Sequence, residues 1–117
     1  MSDRSDSAKL ESILEFINHI EIIISRYSSI EEALLDIEGQ YALLMCIQQI
    51  GEALNAIISE NLRAKLPVKD AVGFRNIIVH NYDGINFAIV EMTLKLKIPE
   101  LKATILSIME KNGIGKG

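Results

Sequence analysis

Residues 8–27, AKLESILEFINHIEIIISRY, set Leu10, Ile13, Leu14, Ile17, Ile20 and Ile24 three and four positions apart. Successive residues of an α-helix turn by about 100°, so this spacing gathers the six side chains into one apolar stripe. The same period returns strongly in YALLMCIQQIGEALNAIISENL, residues 41–62. About half the chain is apolar, it holds only two prolines, and it is rich in Leu, Ile, Ala, Glu and Lys, so the expectation is an all-α fold. At 117 residues it has the length of one domain, 1–117, with polar ends at 1–7 and 113–117 expected to be flexible.

Local signals divide the pattern into five or six helices of a compact antiparallel bundle. Ser29 with Glu32 three residues on makes a capping box that starts a second helix. Gly39 then interrupts the apolar run, which predicts a short helix followed by a long one, with a single kinked helix as the alternative. Gly51 lies deep in the long helix, where glycine costs about 1 kcal/mol relative to alanine, so a close helix contact is expected to compensate. A loop follows, then Pro67 opens a helix over about residues 68–82, with Asp70 near its start and Asp83-Gly84 as its turn. The remainder reads as a helix to about Lys97 and a last helix from Pro99 to Gly113.

The formal net charge of −4 argues against a protein that coats nucleic acid through bulk electrostatics. The charge is uneven: residues 1–60 hold 3 basic and 11 acidic side chains, and residues 61–117 hold 9 basic and 5 acidic. Any anion-binding surface is therefore expected in the second half, around Arg63, Lys65, Lys69 and Arg75, with a solvated face of uneven charge as the alternative. Without a signal-like or membrane-spanning run, the expectation is a soluble, cytoplasmic chain with no membrane association. Cys46, the single cysteine, reads as a small core residue, and His19 as a surface or satisfied histidine. No nucleophilic Ser or Cys pattern, glycine-rich phosphate loop or metal-ligand cluster is present, and no cofactor is implied.

One stretch departs from helical filler: RNIIVHNY, residues 75–82. On one helix, Asn76 and His80 share a face, Arg75 and Tyr82 lie nearly in line, and His80 falls about 140° from Arg75. One copy does not easily aim arginine and histidine at the same small target; a second copy across a symmetric dimer would complete the cluster. The chemistry these side chains suit is cleavage of RNA without metal. A histidine near its neutral pKa can take the proton of a ribose 2′-hydroxyl or protonate the leaving 5′ oxygen, and Asn76 could orient its ring. Arginine can grip the phosphate and stabilise transition-state charge. The plainer reading is that the helix dipole favours these cations near a C-terminus and Tyr82 caps the core. A third is a non-catalytic module that binds a nucleotide or a partner protein, which the resemblance given below would make a regulatory subunit or antitoxin for a nucleotidyltransferase.

LPVKDAVGFRNIIVHNY, residues 66–82, resembles the Arg-x4-His-x-Tyr motif of the HepT-like branch of the HEPN superfamily. Pro67, Gly73, Arg75, Asn76, His80 and Tyr82 occupy the motif's places. QIGEAL, residues 49–54, resembles the Ile-Gly-Glu-Ala segment of that family's long helix, and the helix order extends the likeness over essentially the whole chain. Val68 stands where many relatives have tryptophan, and Asn86 where many have aspartate. The resemblance implies an all-α homodimer whose motif helices line a shared cleft, acting as a metal-independent endoribonuclease toxin of a type VII-like toxin-antitoxin pair. In that reading Arg75 stabilises the phosphate, His80 is the general acid or base, Asn76 supports it, and Lys69, Arg63 and Lys65 bind RNA. The implied partner is a minimal nucleotidyltransferase antitoxin that attaches AMP to the motif tyrosine, by position Tyr82. The added phosphodiester would place negative charge in the cleft and be captured by Arg75.

Overall fold

The structure, a computed structural model, describes residues 2–112, so the expected flexible end at 113–117 lies outside the described residues. Its elements are α1 (Ser2–Ile24), α2 (Ile30–Leu35), α3 (Ile37–Ala56), α4 (Glu60–Lys65), α5 (Val68–His80), a 3₁₀ turn (Tyr82–Gly84), α6 (Phe87–Met92) and α7 (Ile98–Asn112). A π-helical segment, Thr93–Lys97, joins α6 to α7 without a break. The chain is thus all-α, as its periodicity requires. The stripe predicted on α1 is the core face: Leu10, Ile13, Ile17 and Ile20 are buried against Leu43, Leu44, Ile47, Ile50 and Leu54 of α3 and Leu101, Ile105 and Ile108 of α7. Each such side chain contributes about 1.5–3 kcal/mol by leaving water. Cys46 is buried among them, and burial raises its thiol pKa.

The breaks between helices follow local capping chemistry, in places not where expected. Ser29 Oγ accepts the Glu32 N–H at 3.0 Å, as the capping box predicts. The short and long helices then part at Asp36 rather than Gly39: Asp36 Oδ2 accepts the Gly39 N–H at 3.1 Å and the Tyr27 hydroxyl at 2.6 Å. Gly39 lies in the first turn of α3, close under the Ala33 carbonyl and the Tyr27 ring, where a side chain has no room.

The long helix ends at Ala56, earlier than its apolar pattern suggests, and α4 has no counterpart in that pattern. Buried Asp6 of α1 accepts the N–H groups of Ile58 and Ser59 at 3.0 and 2.9 Å, which turns the chain out of α3. Ser59 Oγ then accepts the Leu62 N–H at 3.2 Å to start α4.

The expected break at Pro99 is absent. Proline lacks an N–H and crowds the carbonyl four residues back, and the wider π turn just before it absorbs both defects. The Ile98 N–H donates to the Thr93 carbonyl, five residues back.

The motif is carried by α5, which packs on α3. Tyr82 reaches Gln40 and Tyr41 at the start of α3, and Ala71 and Arg75 meet Gly51 near its end, so α5 runs antiparallel along α3. A Cβ at Gly51 would lie 2.9 Å from the Ala71 carbonyl oxygen and 2.9 Å from Arg75 Cβ. The glycine is what allows the two helices to approach this closely, as its place in the sequence suggested.

Candidate active site

Arg75 is the best-held of the motif side chains. Its Nε–H and an Nη2–H donate to Glu52 Oε2 of α3 at 2.8 and 2.7 Å, and an Nη1–H donates to Asn76 Oδ1 at 2.7 Å. The side chains of Arg75 and Glu52 are 29% and 43% exposed, so water screens the ion pair and its contribution to stability is about 0.2–1 kcal/mol. What the pair provides is orientation. Arginine has five N–H donors, and two remain after these three bonds.

Asn76 therefore supports the arginine; its carbonyl oxygen is not turned to the histidine. His80, the last residue of α5, is exposed and makes no side-chain hydrogen bond among the described residues. Its ring is open to a ligand from solvent. His19, the other histidine, is exposed on α1 and stands edge-on to Phe16, with ring centres 5.7 Å apart.

Tyr82 does not continue the helix. α5 stops at His80, Asn81 leaves the helical conformation, and Tyr82 opens the 3₁₀ turn, so the in-line placement with Arg75 does not occur. Its hydroxyl donates to Gln40 Oε1 at 2.7 Å, and the Gln40 amide donates in turn to the Leu34 carbonyl at 3.0 Å. The Tyr82 ring meets Tyr41 edge to face, with centres 5.9 Å apart. Burial, then the neighbouring Tyr41, raise the Tyr82 pKa. Gln40 and Glu52 are twelve residues apart on α3, roughly 18 Å of helix. Within one chain, a phosphate on Tyr82 would thus sit well away from the Arg75 guanidinium.

The basic residues named from the sequence divide. Arg63 donates through Nη1 to the carbonyls of Asn55 and Ile57 at 2.9 and 2.8 Å, so it closes the C-terminal end of α3. Lys65 lines a groove against Thr104, Ser107 and Lys111 of α7. Lys69 is exposed in the first turn of α5. Asn86, the departure after the turn, caps α6 by accepting the Ala88 N–H at 2.9 Å, a role an aspartate would fill equally. Val68 is buried at the start of α5.

Around these polar groups lies an uncovered apolar face. On α3, Ile37, Tyr41 and Met45 are 61%, 56% and 61% exposed, and Ile77 and Val79 of α5 are also exposed. With about 100° per residue, Ile37, Tyr41, Met45 and Glu52 fall within about 80° of arc, so the stripe leads to the arginine's partner.

A helical chain that displays a fixed arginine and an open histidine on one helix carries side chains of the kind that can serve a phosphate. Comparison with known proteins gives the chain a family. Residues 13–108 match the family described as "Ribonuclease HepT-like". The chain is 32% identical over 113 residues to "Putative RNase MJ1216" of Methanocaldococcus jannaschii, covering 94% of this chain and 92% of that one. It is also 32% identical over 101 residues to "Probable ribonuclease HepT" of Thermococcus cleftensis, covering 85% of this chain and 91% of that one. No solved structure matches. The chain belongs to the HepT-like ribonuclease family, and its enzyme class is the one its motif led us to expect.

Proposed function

We propose that the chain is an endoribonuclease toxin that acts as a homodimer and cuts RNA without a metal ion or cofactor. The observation that carries this reading is the pair of side chains that α5 displays: Arg75 is fixed with two N–H groups to spare, and His80 stands open five residues on, about 140° round the helix. In the reaction the ribose 2′ oxygen bonds to phosphorus and the bond to the 5′ oxygen breaks. A base takes the 2′ proton and an acid gives one to the 5′ oxygen, leaving a 2′,3′-cyclic phosphate and a 5′-hydroxyl. Arg75 bears the charge that builds on the phosphoryl oxygens. Each chain brings one histidine on this helix; two copies meeting beside it would supply both base and acid. The uncovered Ile37, Tyr41 and Met45 stripe of α3 gives such a pairing an apolar surface to bury. Lys65 and Lys69 are the basic side chains left to follow the RNA backbone, since Arg63 is engaged in closing α3.

The regulating partner in this reading is a minimal nucleotidyltransferase antitoxin that transfers AMP to the Tyr82 hydroxyl. The exposed ring supports it, and release of the phenol from Gln40 would present the oxygen. The modification would act by placing bulk and negative charge on the face rather than by engaging Arg75 of the same chain.

The test is cleavage of total cellular RNA in excess EDTA by the wild type, Arg75→Ala and His80→Ala, each checked for folding and oligomeric state. Wild-type cleavage reduced at least a hundredfold in both folded variants is expected. Undiminished cleavage by either variant removes that residue from the site. No cleavage by wild-type protein shown by mass to be unmodified at Tyr82 transfers the reading to a non-catalytic, partner-binding subunit.

A further inference from the structure

We propose that Glu52 is a positioning residue of this site: it holds the Arg75 guanidinium in the orientation that offers its remaining N–H groups to a substrate phosphate. This role rests on the ribonuclease reading of the site.

Three features of the contact support it. The pair joins different helices: Glu52 is on α3 and Arg75 on α5, 23 residues apart. A single carboxylate oxygen takes both Nε–H and Nη2–H, which fixes the plane of the guanidinium as well as its position. And the residue beside Glu52 is Gly51, whose lack of a side chain brings Arg75 Cβ against α3. The arginine is therefore set at its root by a glycine and at its tip by the neighbouring glutamate.

A merely stabilising ion pair would not need this arrangement, since water screens the half-exposed pair and leaves it little energy to contribute. Orientation has a larger consequence. Arginine is a long, flexible side chain, and a substrate that had to order it would lose transition-state binding. With Glu52 on one edge and Asn76 on Nη1, that ordering is complete before RNA arrives. The glutamate also opposes phosphate binding, because its negative charge lies beside the cation the phosphate seeks. Orientation and charge thus act in opposite directions on the two kinetic constants. Losing Glu52 lowers kcat while KM stays level or falls.

The experiment measures kcat and KM for cleavage of a short single-stranded RNA by the wild type, Glu52→Ala, Glu52→Gln and Arg75→Ala, with thermal melts of each. In parallel, nitrogen–proton NMR follows the Arg75 Nε–H, assigned by its loss in Arg75→Ala. For Glu52→Ala we expect kcat to fall about tenfold to a hundredfold with KM unchanged or lower, and the Nε–H signal to exchange away. Glu52→Gln, which keeps a carbonyl oxygen to accept both N–H groups, restores most of kcat and the signal. Wild-type kcat in Glu52→Ala, or a kcat loss tracking a loss of melting temperature, overturns the proposal and leaves the ribonuclease reading in place. A wild type that does not cleave overturns the reading and the proposal together.

Discussion

Asp6 shows how one side chain can govern a whole corner of the molecule. Burial on its own would raise its pKa. The Ile58 and Ser59 N–H groups outweigh that, with the Lys9 ammonium 3.6 Å away adding to them, and the carboxyl is held below its ordinary 3.8. Between the folded and unfolded values the unfolded chain binds a proton that the native chain does not. The stabilisation is therefore present above about pH 4 and is lost as pH falls through the lower, folded value. Asp6→Asn is expected to cost about 1–3 kcal/mol at neutral pH and to flatten the acid limb of the stability curve. Denaturant melts between pH 2 and pH 7 measure both; an unchanged acid limb would remove Asp6 from the account. Asp36, lowered first by the Tyr27 hydroxyl, and Glu31 retain part of that limb. None of this was legible in the sequence, because Asp6 acts on a turn 52 residues away. The motif residues were legible, but their partners were not. Nothing in the local spacing of Arg75 points to Glu52, and the shared helix face points Asn76 to the histidine, whereas the Asn76 oxygen accepts from Arg75.

Among the helices, α5 depends on its neighbour. Only Val68 and Ile78 of its thirteen residues are fully buried, with Ala71, Val72 and Phe74 partly so, and the close approach at Gly51 sets how near it lies to α3. Gly51→Ala puts a methyl group against a backbone carbonyl and Arg75 Cβ, and α5 must move away. We expect a loss of about 1–3 kcal/mol in chemical denaturation and weaker RNA cleavage, because Arg75 leaves Glu52 as the helix shifts. Helicity by circular dichroism should barely change. The helices themselves were readable wherever an apolar period and a cap agreed, as at Leu10, Ile13, Ile17 and Ile20 and at Ser29 with Glu32. They were misread where two signals competed. Gly39 looked like a breaker, yet Asp36 makes the break. Pro99 looked like a start, yet a π turn carries the helix through it.

At the scale of the molecule, three of the nine basic side chains of the second half are paired with acids. Lys95 lies 3.1 Å from Glu31 and 2.8 Å from Glu91, Lys102 lies 2.8 Å from Glu21, and Arg75 is on Glu52. The charge asymmetry thus serves partly to tie helices together, while Lys65, Lys69, Lys97 and Lys111 pair with no acid among the described residues. The surface also leaves an apolar stripe on α3 uncovered. If two copies meet through α3 and α5, Met45→Glu, which touches none of the polar motif, is expected to give a monomer and to reduce cleavage at least tenfold. Sedimentation alongside the RNA assay tests this, and a fully active monomer would rule the pairing out.

The contact between Tyr41 and Tyr82 has a practical side. The chain has no tryptophan and three tyrosines, and two of those three meet edge to face where α5 ends beside the start of α3. Its near-ultraviolet signal is consequently a built-in gauge of that junction, able to register a docking event without any attached dye.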